Sequence, residues 1–177
     1  MRSNDLRRYV RDCAVLVLLC SALLACGGPE GERLGTEVST EFVDQVTGDQ
    51  QGSGSVTVTA VRRGSVDDLS TAFDLDDDQL GMSAYYVDVE FTNDSGAAVD
   101  LHAPSGVDAD GDLWSPLVVV SIGTAPPYDA CPALPGTLAG GSDVTGCAIV
   151  LVPEGAELER VSYLPGAGAE PVYWLAR

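Results

Sequence analysis

Lysine is absent from this 177-residue chain, and there is a single histidine, His102. Acid–base or triad chemistry would have to pass through that one imidazole, because serine and aspartate alone do not activate a nucleophile. His102 follows a short apolar segment and precedes Ala103-Pro104, so a surface or packing role is expected for it. No catalytic constellation is visible, and the reading is a protein that is not an enzyme. Also missing are a Cys-x-x-Cys pair, an internal repeat and any long amphipathic helical pattern. Nine basic residues stand against 27 acidic ones, a formal charge of −18. Such a balance argues against nucleic acid as a partner and against lying flat on anionic lipid. It implies a solubilising acidic surface.

What is present begins at the N-terminus. Arg2, Arg7, Arg8 and Arg11 outnumber Asp5 and Asp12, and an apolar run, residues 14–24, follows. That run is short for a membrane span and has the size of a signal-peptide core. Arg7-Arg8 is not read as a twin-arginine signal, since Arg11 stands where an apolar residue belongs. Leu23-Leu24-Ala25-Cys26, before Gly27-Gly28-Pro29, resembles a bacterial lipoprotein signal. The resemblance implies cleavage before Cys26 and a diacylglyceryl thioether on its sulfur. Each buried lipid methylene contributes ~0.8 kcal/mol, so two or more chains hold stably where one holds reversibly. No later segment approaches spanning length. The expected location is the outer face of the cytoplasmic membrane, with the lipid on Cys26 as the membrane contact.

Subtracting residues 1–25 leaves five arginines and 25 acidic residues, a formal charge of −20. It also removes Cys13 and Cys20, and acylation would take Cys26. Cys131 and Cys147 remain, an even pair facing an oxidising compartment, and a structural disulfide is expected. It would close a 17-residue segment and contribute ~3 kcal/mol on the chain-entropy model.

Residues 26–54 read as a lipid-anchored tether and 55–177 as the domain. Within 37–46 the pattern fits either a short helix or an extended first strand. Beyond it, the period is two. Ser55–Val61 alternates, and Tyr85, Val87, Val89 and Phe91 share one face with Tyr86, Asp88 and Glu90 on the other. Residues 99–101, 117–122, 145–152, 158–164 and 171–176 complete the expected strands. The runs at 117–122 and 145–152 are continuously apolar, as in strands buried on both faces. Residues 66–73 fit one helical turn. Seven or more short strands with Gly/Pro turns indicate an all-β, antiparallel sandwich. Its inner faces are expected to carry Val56, Val58, Tyr85, Val87, Val89, Phe91, Leu101, Val119, Ile149, Leu151 and Tyr163.

Four stretches, residues 55–63, 85–93, 136–153 and 163–174, resemble the immunoglobulin-like domains of actinobacterial surface lipoproteins, related to the telokin-like, DUF4352 group. The matching pieces are a Val-Thr-Val first strand, Tyr-Tyr-Val-Asp-Val-x-Phe-Thr-Asn with a turn after it, and a glycine-punctuated segment leading into an apolar strand ended by Pro153. The resemblance implies an immunoglobulin-like sandwich. Its motifs are structural, and it carries no active-site residue onto this chain.

Two acidic clusters invite a cation. Asp108, Asp110 and Asp112 alternate, and calcium favours several hard oxygen ligands. The glycine is fourth rather than sixth and no glutamate closes the loop, so an EF-hand is excluded; Asp110-Gly111 is a strong hairpin turn, the preferred reading. Asp74-Leu-Asp-Asp-Asp78 reads as a solvated loop whose repulsion a cation would relieve. Trp114, Trp174, Tyr128, Tyr163 and Tyr173 are either packing aromatics or the lining of a ligand groove. The expected recognition surface is residues 123–146, stiffened by Pro126 and Pro127, carrying Tyr128 and pinned by the disulfide. A protein or cell-envelope component would be the partner; the other reading is a divalent-cation or small-ligand binding lipoprotein.

Overall fold

A computed structural model describes residues 30–118 and 128–177. The signal region with Cys26, and Val119, Pro126 and Pro127, lie outside the described residues. Two four-stranded antiparallel sheets face each other across the main core. The first has the order β1 (Glu37–Val43), β2 (Gln50–Arg63), β3 (Met82–Asn93), β8 (Asp143–Pro153). The second has the order β10 (Val172–Leu175), β9 (Leu158–Tyr163), β5 (Ser105–Asp108), β6 (Leu113–Trp114). A two-stranded piece, β4 (Val99–Asp100) with β7 (Thr137–Leu138), closes one end. The chain is an all-β sandwich. β1, β2 and β3 are successive neighbours, whereas an immunoglobulin constant domain sends its third strand to the opposite sheet.

The folded unit starts earlier than residue 55. Gly31–Arg177 forms one compact unit, and residues 37–43 and 50–54 are in strands rather than a tether. The Glu37–Val43 pattern resolves as a strand because Phe42 is fully buried between the sheets while Glu37 and Glu41 point to solvent. Ahead of it, the Glu32 amide donates to the Tyr173 carbonyl at 2.7 Å and the Leu175 amide to the Glu32 carbonyl at 2.8 Å. That parallel bridge covers the edge of β10.

Val56, Val58, Tyr85, Val87, Val89, Phe91, Leu101 and Tyr163 all enter the main core as expected, joined by Trp174, Val161 and Leu158. Ile149 and Leu151 do not. Ala148, Val150 and Val152 are the residues of β8 that face the second sheet. The register sets this parity: Val87 stands opposite Ala148 and Tyr85 opposite Val150, so Ile149 shares the outer face with Tyr86. β8 is buried on both faces, and a continuous apolar run carries no parity of its own. Of residues 117–122 the described part is Leu117, whose amide donates to the Ile149 carbonyl at 2.7 Å, and Val118, which is exposed.

The outer face of the first sheet is covered by the β2–β3 connection. Its helices are α1 (Val66–Ala72) and α2 (Asp77–Leu80). Ser65 caps α1 by accepting from the Asp68 amide, and Asp67 and Asp68 suit the positive end of its first turn. Leu69 drives into a second apolar cluster with Ala84, Tyr86, Ile149, Leu151 and the two cysteines. Gly64 lets the chain turn closely onto the sheet: a Cβ there would sit 2.5 Å from the Tyr86 ring.

Candidate functional site

A bulge between Val58 and Ala60 changes the parity of β2, so Arg62 stands opposite Tyr86 on the outer face. Arg62 forks onto Asp88, with Nε donating to Oδ2 at 2.6 Å and Nη2 to Oδ1 at 2.7 Å. The same Nη2 donates to the Ala130 carbonyl at 3.0 Å, and the guanidinium lies 5.4 Å over the Tyr86 ring. The Asp88 hydrogen bonds hold the Arg62 pKa above its ordinary value.

This network docks the segment that carries Tyr128. The hydroxyls of Tyr86 and Tyr128 are 2.7 Å apart, and Phe73 of the α1 cap packs edge-on against Tyr128. Burial, reinforced by the Tyr86 hydrogen bond, pushes the Tyr128 phenol up to about 12. Cys131 and Cys147 are a buried disulfide pair with Cα atoms 5.0 Å apart. The Cys147 amide donates to the Pro132 carbonyl at 2.7 Å, and Ala133 bridges to Cys147 in parallel. Tyr128, expected on a recognition surface, is therefore half-buried and used as an anchor. The exposed residues of the described part, 128–146, are Asp129, Ala130, Pro132, Ala133, Pro135–Thr137, Ala139–Gly141, Asp143 and Thr145.

The structure places the 108–112 cluster in the β5–β6 hairpin. Asp108 is buried, and its Oδ1 accepts from the amides of Asp110 (3.0 Å) and Asp112 (2.9 Å). Its Oδ2 accepts from the Trp114 indole at 2.8 Å. The Trp114 bond first, then the backbone donors, hold Asp108 below the ordinary carboxylate range. Gly111 takes φ +89°, which favours glycine. Asp110 and Asp112 are exposed and are not drawn to Asp108 as co-ligands. Among the described residues no three His, Cys, Asp or Glu side chains converge as a metal site. Asp76 in the other cluster is not part of a bare loop. It caps α2 in a reciprocal box, its Oδ1 accepting from the Gln79 amide while Gln79 Oε1 accepts from the Asp76 amide. The spacing Asp-x-x-Gln was the signal for it.

The open face of the second sheet holds a groove of about 510 Å³ that the sequence did not reveal. Val161, Tyr163 and Trp174 point into the core, so their neighbours Arg160, Ser162 and Tyr173 point outward. The registers align Tyr173, Ser162 and Ser105 in one row across three strands and set Arg160 opposite Val107. His102, Gln45, Leu113, Leu164 and Pro171 form the walls. Paired positions of β5 and β9, such as Ser105 and Ser162, lie at least 50 residues apart and leave no local trace of that row.

Comparisons with protein-family models, curated proteins and solved structures return no match to the chain.

Proposed function

We propose that the chain is a non-enzymatic, lipid-anchored binding module outside the cytoplasmic membrane, related to immunoglobulin-like surface lipoproteins. It recognises a protein or cell-envelope component through residues 123–146. The observation that carries the reading is the docking of 128–133. A disulfide pair, two backbone hydrogen bonds to Cys147 and Arg62, and the Tyr86–Tyr128 contact hold it to a rigid sheet. Exposed residues of a loop fixed in this way present a preorganised surface. With a lipid on Cys26, only residues 27–30 precede the folded unit. Five residue steps span at most about 18 Å, so the module stays close to the membrane.

Cys26→Ala tests the anchor. Release from the membrane fraction with loss of the lipid mass is expected; unchanged partitioning and mass overturn it. Photo-crosslinkers at Pro135 and at the exposed Glu154 of the far turn test the surface in intact cells. A neighbour captured from Pro135 but not from Glu154 is expected. Equal capture, or none, overturns the assignment to 123–146.

A further inference from the structure

The groove on the second sheet is a different surface from 123–146, and its chemistry is specific. Arg160 lies 5.1 Å over the Tyr173 ring, and its Nε is buried with no protein acceptor. No carboxylate of the described residues forms an ion pair with it; Arg62 and Arg177 pair with Asp88 and Glu157, and Arg33 and Arg63, also without an ion pair, are exposed to solvent. The chain has 27 acidic residues for nine arginines, so a guanidinium without a carboxylate is not a shortage of partners. His102 Nε2, also on the groove, is buried without a protein partner. Asp44, the residue before the lining residue Gln45, is occupied by its own turn: its Oδ1 accepts from the amides of Val46 (2.8 Å) and Thr47 (2.7 Å). Gln45, Ser105 and Ser162 add polar groups to the lining, and Val107, Leu113, Leu164 and Pro171 make up its larger apolar side chains. Leu113 is 62% exposed and Leu164 44%, large side chains that water covers in the free protein.

We propose that this groove binds a small organic carboxylate. Arg160 receives the carboxylate, with the Ser105 and Ser162 hydroxyls beside it, and Val107, Leu113 and Leu164 cover an apolar body. A guanidinium without an ion-pair partner matches a planar carboxylate in geometry and charge. The apolar rim separates this from a bare inorganic anion, which would leave Leu113 and Leu164 wet. The volume is that of a small-molecule site, for which typical values are about 300–1,000 Å³.

The test is an NMR titration of the full chain with acetate, N-acetyl-leucine, glucuronate, N-acetyl-leucinamide and inorganic phosphate. N-acetyl-leucine should saturate with a Kd of about 1 mM, shifting His102, Ser105, Arg160, Ser162 and Tyr173. The amide, phosphate and acetate should each be weaker by about tenfold. Arg160→Gln should abolish binding with an unchanged unfolding midpoint. Should Arg160→Gln perturb folding, Leu113→Ser, at an exposed position, should weaken N-acetyl-leucine but not acetate. No saturable shift with any of the carboxylates overturns the proposal. So does equal binding of acid and amide, or phosphate binding as well as N-acetyl-leucine.

Discussion

The Cys131–Cys147 pair is the perturbation that tests the recognition surface most directly. The two residues bracket 17 positions, and the pair sits in the outer-face cluster, 4% and 6% exposed. Cross-linking a loop of that length lowers the entropy of the unfolded chain by an amount worth ~3 kcal/mol at 25 °C. For a folded unit of this size, ~3 kcal/mol shifts Tm by roughly 6–12 °C. The Cys131→Ala/Cys147→Ala variant leaves no free thiol and keeps the cluster apolar. The other ties survive it: Tyr86 to Tyr128, Arg62 to the Ala130 carbonyl, and the Cys147 amide to the Pro132 carbonyl. The segment should therefore stay docked in the native state, and the loss should appear almost wholly through the unfolded ensemble. Urea unfolding followed by tryptophan fluorescence is the assay, because Trp174 is fully buried in the main core. A lowered midpoint with an equal or slightly larger m-value is expected, since the uncrosslinked unfolded chain is less compact, and reduced wild type should match the variant. A loss under about 1 kcal/mol would refute the closed-loop argument. A smaller m-value would show that the segment had left the cooperative unit, and the preorganised surface would go with it.

Three further outcomes follow from buried polar groups. Asn93 is fully buried, donating to the carbonyls of Ala97, Leu138 and Ala139 and accepting from the Ser95 amide and hydroxyl. Asn93→Leu should cost about 3–5 kcal/mol in chemical denaturation, since it strands those groups together; a loss below 1 kcal/mol would sink that account. Asp108 has a folded-state pKa below its unfolded value, so its ionised form stabilises the fold above the unfolded pKa and ceases to as pH falls through the lower one. Asp108→Asn should therefore be less stable than wild type near neutral pH, with the gap closing in strong acid; a pH-independent gap refutes the linkage. Tyr128, with its phenol pushed up to about 12, should stay protonated where an exposed tyrosine, pKa about 10, has ionised. Carbon NMR of labelled tyrosine reads this directly, and ionisation of Tyr128 together with exposed tyrosines would contradict its burial.

The parts of the fold legible from sequence were those with local periodicity. Tyr85 to Phe91 alternates cleanly because one face meets the core and the other meets Arg62 and the outer layer, so each side chain declares its side. β8 gave its burial but not its parity, since Ile149 and Val150 are equally apolar and only pairing with β3 separates them. β1 stayed ambiguous because a seven-residue edge strand with two glutamates buries little beyond Phe42 and Thr40. β5 to β7 are two to four residues long and are held by partners distant in sequence. The disulfide pair needed no geometry, only a count. The groove required β5, β9 and β10 to be laid side by side, and its arginine looks like any other in the chain until its lack of an acceptor is seen.

The acidic composition has a structural component that bears on where ligands bind. Asp44, Asp76 and Asp108 each accept backbone amides two to four residues away. Each satisfies donors that a turn or helix start would otherwise leave unpaired. A cation taken by Asp108 would compete with two amides and an indole for the same oxygens, and its neighbours Asp110 and Asp112 point to solvent rather than toward it. Asp44, Asp76 and Asp108 are thus engaged by the loops that carry them. Arg160 shows the opposite arrangement, a charge held beside a cavity with its buried Nε unclaimed. Tyr163 Oη shares that unmet capacity inside the closed core, so it is the coincidence of unclaimed donors with an open cavity, rather than charge density, that marks a place for a ligand on this protein.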